Sequence, residues 1–218
     1  FVLKNLLIKN TGNKAAHHDA TEMQPTARSL PKFTMNAQSL RLSRLLTRLA
    51  AKSPKGTWGL MTRLVLKTPP WPADILITDT FIASRDLTSI RIRIYQPQAA
   101  APQAPALLWM HGGGFIIGAP EQDDTYVVPF IQEIGMRVVS VDYRLTPEHP
   151  FPAPLEDCYA ALQWLSAEAS RLGVDPGRII IGGNSAGAGL AAALAQLAYD
   201  RGEVHPIFQL LIYPMLDD

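Results

Sequence analysis

Only one cysteine, Cys158, occurs in 218 residues, so no internal disulfide can form; a reducing, cytoplasmic setting is the expectation. No apolar stretch approaches the roughly 20 residues that a membrane-spanning helix needs, which argues against stable membrane insertion. A dominant sign of charge is lacking too. The 20 Lys/Arg and 19 Asp/Glu leave a net charge of +1, too little for general attraction to nucleic acid. No P-loop, paired C-x-x-C, EF-hand spacing or Rossmann glycine pattern occurs, so no cofactor is indicated. His17-His18 is read as a solvated pair in a polar leader, and no metal is expected. Cys158 lies in the helix-like segment PLEDCYAALQWL and reads as a small buried hydrophobe, not a nucleophile.

What the chain has is one sizeable core's worth of apolar residues, 47% of the total. Its charge is unevenly divided. Residues 1–70 carry 12 Lys/Arg against 2 Asp/Glu, and the remainder carries 8 against 17. Either the basic leader docks on the acidic body or it meets an acidic surface elsewhere. Residues 1–34 show no clear periodicity and are read as a flexible or tag-derived leader, with Met35 a candidate natural start. From Gln38 to Ala51 the pattern turns helical, with Leu42, Leu45, Leu46 and Leu49 on one stripe and Arg41, Arg44 and Arg48 beside it. Such a helix suits a lid over an apolar pocket or a membrane surface, and the lid is the favoured reading. Residues 35–72 are therefore assigned to an N-terminal helical cap, ended by Pro69-Pro70-Trp71-Pro72, and 73–218 to an α/β body.

Within the body, β-branched alternation at 75–83 and 90–95 predicts a hairpin. Strands are expected at 106–110, 137–142, 178–182 and 206–213, and helices at about 121–134, 155–172 and 185–201. Strands alternating with helices imply a mostly parallel sheet with helices on both faces.

Two stretches carry chemistry. Ile179–Ile181 runs into Gly182-Gly183-Asn184-Ser185-Ala186-Gly187 and then an Ala/Leu-rich segment: strand, tight turn, helix, with Ser185 at the apex of a G-x-S-x-G frame. Gly183 and Gly187 flank the serine where a sharp turn leaves no room for Cβ atoms. The turn exposes the hydroxyl at a helix N-terminus, which favours a developing anion. The second stretch, His111-Gly112-Gly113-Gly114-Phe115, follows the apolar run 105–110. A glycine loop after a strand can aim backbone N–H groups at an oxyanion, and His111 is expected to hold that loop by hydrogen bonds.

With HGGGF at 111–115, DYRLTPEHPFPAP at 142–154 and GNSAG at 183–187, the chain resembles the hormone-sensitive-lipase branch of the α/β-hydrolases, the bacterial family IV esterases, over residues 75–218. It departs from that pattern at Asn184, where Asp is the common choice, and at Thr146, where Ala is usual. The resemblance implies an α/β-hydrolase fold and a serine carboxylic-ester hydrolase acting on short to medium acyl esters. By the same resemblance Ser185 is the nucleophile, Gly113, Gly114 and Ala186 supply the oxyanion amides, and Gly112 completes the loop. The 142–154 block is read as scaffold, with Arg144 and Glu148 pairing or bonding the loop.

The resemblance also implies the chain order Ser, then Asp/Glu, then His. Only 33 residues follow Ser185, and their one histidine, His205, lies at the entry to a strand, away from the serine. The acid and base are therefore expected on a continuation beyond Asp218, with the chain a C-terminally truncated hydrolase. A small-molecule ester is the expected partner, and homodimerisation stays open. The alternative is a non-catalytic small-molecule-binding module on the same scaffold, similar to the plant gibberellin receptor; a non-functional fragment is a third reading.

Overall fold

Residues 72–99 and 101–216 are described by a computed structural model. The expected leader (1–34) and cap (35–72) lie outside the described residues apart from Pro72. The strands are β1 (Ile75–Ala83), β2 (Ser89–Pro97), β3 (Ala104–Met110), β4 (Arg137–Asp142), β5 (Val174–Asn184) and β6 (Phe208–Ile212). The helices are α1 (Asp124–Ile134), α2 (Ala153–Ala167), α3 (Ala169–Leu172) and α4 (Ala186–Arg201), and a 3-10 turn at Pro120–Asp123 precedes α1.

The six strands form one sheet in the order β1-β2-β4-β3-β5-β6. The β1–β2 and β2–β4 pairings are antiparallel, whereas β4–β3, β3–β5 and β5–β6 are parallel. The two strands at the centre, β3 and β4, are buried along their whole length. The sequence of β3, APALLWM, is a continuous apolar run and that of β4, RVVSVD, is built on Val138, Val139 and Val141, because a central strand covered on both faces has no solvent side.

Alternation along β3 divides the core into two layers. Ala106, Leu108 and Met110 face one cluster, filled by Cys158, Leu162 and Leu165 of α2 and Leu190 and Leu194 of α4. Leu107 and Trp109 turn to the opposite face, where Tyr126 of α1 stacks on Trp109 at 6.1 Å between ring centroids. Helices thus cover both faces, as expected from the alternation of elements. Cys158 is fully buried and its thiol is pushed well up by that burial, the state of an inert core residue.

Element boundaries shift by up to four residues, and three of the differences stand out. The expected helix at 121–134 opens with a 3-10 turn, because Pro120 sits in its first turn. The expected helix at 155–172 is two helices, α2 and α3, parted at Glu168. Strand β5 begins at Val174, four residues before the expected start; Pro176-Gly177 marks an irregularity inside the strand, where the register against β3 shifts between Ala104 and Ala106.

Candidate active site

Strands β3 and β5 run side by side and parallel, with Met110 opposite Gly183 at their carboxyl ends. The chain leaves β3 into His111–Phe115 and leaves β5 into Ser185, so the two motifs meet at one edge of the sheet. In open parallel sheets that edge is where ligands bind.

Ser185 has φ 50° and ψ −120°, an uncommon conformation for a residue with a Cβ, and stands at the N-cap of α4. The turn is held from both sides. The Ser185 N–H donates to Ile212 O at 3.0 Å, and the Ser185 carbonyl accepts from Gly189 N and Met215 N at 3.1 Å each. The first turn of α4 lies directly on the end of β3. A Cβ placed on Gly187 would stand 2.1 Å from Met110 O, a separation only glycine permits.

The glycine loop is equally tight. The Gly113 carbonyl accepts from Ile116 N and Ile117 N, both at 3.1 Å, closing a turn in which Gly113 has φ 128°. A Cβ there would meet Ile117 O at 1.9 Å. Among the hydrogen bonds of the described residues, none uses the Gly113 or Gly114 N–H as donor. His111 is buried with its Nδ1 2.8 Å from Gly112 O and its ring stacked on Tyr143 at 4.2 Å.

The 142–154 block grips this loop at both ends. Tyr143 Oη donates to His111 O at 2.7 Å, while Thr146 donates to Phe115 O from its backbone N at 2.8 Å and its hydroxyl at 3.1 Å. Alanine at 146 would keep only the first of the Thr146 bonds. Arg144 does not pair with Glu148. Its guanidinium holds the buried Asp157 carboxylate at 2.7–3.1 Å and Asp86 at 2.6 Å, because the chain turns it toward α2 and the β1–β2 hairpin instead of along its own loop.

Sequence reasoning missed the turn between the loop and α1. Gln122 Nε2 donates to Gly112 O at 2.9 Å. Buried Asp123 accepts from Trp109 Nε1 at 2.8 Å and from Asn184 Nδ2 at 3.1 Å, and burial pushes its carboxyl upward against those bonds. Asp124, also buried, accepts from Tyr95 Oη at 2.6 Å. Two acids at a helix start read as ordinary N-terminal charge, so nothing in the one-dimensional pattern marked them. Asn184 also becomes intelligible here: with Asp at 184, two buried carboxylates would stand oxygen to oxygen.

His205 precedes β6 by three residues, whereas Ser185 follows Asn184, which pairs with Ile212 at the far end of β6. The strand separates them. His149 is exposed on the 142–154 block. Among the described residues no group of His, Cys, Asp and Glu is arranged to hold a metal ion, and no helix is long and apolar enough to cross a membrane.

A family described as alpha/beta hydrolase fold matches residues 107–218, more than half of the chain and the whole of this site. The chain belongs to the α/β-hydrolase fold family. Within the α/β-hydrolases, the resemblance to the hormone-sensitive-lipase-like esterases stands. Carboxylesterase NlhH of Mycobacterium tuberculosis is 41% identical over 150 residues, covering 68% of this chain and 47% of that protein. An ethyl acetate hydrolase of Pseudomonas putida is 38% identical over 144 residues, 65% of this chain and 45% of its own length. Among solved structures, a bacterial heroin esterase matches with a TM-score of 0.68 and 41% identity, over 75% of this chain and 52% of that one. This α/β-hydrolase chain spans about half the length of the curated relatives it matches.

Proposed function

We propose that this chain carries the nucleophile and the oxyanion donors of a serine carboxylic-ester hydrolase acting on short to medium acyl esters. The observation that carries the reading is Ser185 at a strained strand-to-helix turn, with the glycine loop leaving the adjacent parallel strand beside it. The Ser185 hydroxyl attacks the ester carbonyl as a base takes its proton. The carbonyl oxygen becomes an oxyanion, met by the N–H groups of Gly113, Gly114 and Ala186. Collapse expels the alcohol, which takes up the proton, and leaves an acyl-enzyme at Ser185 that water then cleaves.

His111 enters this scheme as a support of the loop and not as the base, since its Nδ1 is turned to Gly112 O and its ring lies on Tyr143. His205, at the far end of β6, is left out as base. Supporting the substrate class are the relatives named as carboxylesterase and ethyl acetate hydrolase; the second name bears on the short-acyl end of the range.

The test is Ser185→Ala in the full-length polypeptide, assayed with p-nitrophenyl butyrate. Turnover should fall by roughly three or more orders of magnitude with an unchanged circular-dichroism spectrum. Retention of more than about a tenth of the parent kcat would refute the assignment.

A further inference from the structure

The proposed reaction makes no use of Asp123, yet its carboxylate touches both halves of the site. It closes the 3-10 turn between the glycine loop and α1 and is 2% exposed. Oδ2 accepts from Trp109, the penultimate residue of the strand that feeds the loop, and Oδ1 accepts from Asn184, the residue before Ser185. On its other side the Asn184 amide rests on the loop: a Cβ on Gly112 would stand 2.9 Å from Asn184 Oδ1. Gln122, the neighbour of Asp123, holds the Gly112 carbonyl. One turn of chain therefore fixes the elbow, the loop and the strand between them.

We propose that Asp123 is a positioning residue that sets the spacing between the Ser185 elbow and the oxyanion loop through its bonds to Asn184 and Trp109, an inference that rests on the serine-hydrolase reading above. Backbone donors stabilise an oxyanion only when placed to within a fraction of an ångström. A displacement of about 1 Å far from the chemistry can cost on the order of 10²-fold in rate. The Asn184–Asp123 contact is matched only as amide to carboxylate. A second acid at 184 sets like charges together, and removing the acid at 123 leaves the buried Trp109 indole without an acceptor and the Asn184 amide with only the long 3.5 Å bond to the Tyr213 hydroxyl.

The experiment uses the full-length polypeptide in four forms: parent, Asp123→Ala, Asn184→Asp and the exchanged pair Asp123→Asn/Asn184→Asp. For each, kcat and KM for p-nitrophenyl butyrate are measured per active site titrated with a fluorophosphonate. Asp123→Ala and Asn184→Asp should each lose about tenfold or more in kcat per titrated site, with KM within about twofold of the parent. The exchanged pair restores a donor facing an acceptor and should return to within about threefold of the parent kcat.

An unchanged kcat per titrated site in Asp123→Ala would overturn the inference, because lost activity would then track only lost folded protein. So would an exchanged pair no better than Asn184→Asp alone. If Asp123→Ala fails to fold, the comparison of Asn184→Asp with the exchanged pair decides by itself. A parent that neither turns over ester nor reacts with the fluorophosphonate overturns the serine-hydrolase reading and this inference with it. A parent active through Ser185 with an indifferent Asp123 overturns this inference alone.

Discussion

Asp124 holds its proton into the neutral range because it is buried, and the bond from Tyr95 only partly offsets that burial. Its carboxyl is raised from the usual 3.8 to about 7. Between those values the folded protein binds a proton that the unfolded chain does not, so this group's contribution to stability is full below pH 3.8 and is lost as pH rises toward 7. Asp124→Asn, which keeps an acceptor for Tyr95, should flatten that dependence. Melting temperatures of parent and variant measured across the interval should converge at its acid end and favour the variant at its neutral end. Parallel curves would show that Asp124 is ionised in the folded protein.

At the scale of elements, the ion pair between Arg144 and Asp157 joins the 142–154 block to α2, and Ser84 Oγ adds a bond to Asp157 Oδ1 at 2.5 Å from the end of the hairpin. Asp157 is completely buried. Arg144→Ala leaves that carboxylate without its cation, and such a loss typically costs about 3–5 kcal/mol. Urea unfolding should report a drop of that size; under about 1 kcal/mol would mean that water or another cation replaces the guanidinium. The elements themselves were largely legible, since β3 announces burial on both faces by an unbroken apolar run, β4 by its valines Val138, Val139 and Val141, and β1 and β2 announce a hairpin by alternation. The meeting of the glycine loop and the serine turn was legible because glycines stand where the chain cannot carry a Cβ. The partners of Arg144 and Asp123 were not, because they lie 13 to 61 residues away and a carboxylate gives no sign in sequence of what it will face. Boundaries failed at β5, expected to start at 178, because Pro176-Gly177 proved to be an irregularity within a strand that begins at Val174.

For the molecule as a whole, charge is partitioned along the chain. All 12 Lys/Arg of residues 1–70 are opposed there by only 2 acids. The Leu42/Leu45/Leu46/Leu49 stripe of that region, which lies outside the described residues, is the basis for a prediction at this scale. Removing residues 1–51 should leave the α/β body folded while changing the preference for acyl chain length. Specificity profiles with p-nitrophenyl esters from acetate to decanoate would show it, and identical profiles would assign the segment elsewhere than over the pocket.

The contact of Gly187 with Met110 O has a consequence for how such a protein can change over generations. It is a contact of main chain with main chain, so no exchange of a neighbouring side chain can loosen it, and almost any exchange at the glycine itself destroys it. Inheritance therefore finds the reacting geometry nearly immovable. A lineage adapting to new ligands must draw its variation from side chains around the rim, leaving the turn and the loop as it received them.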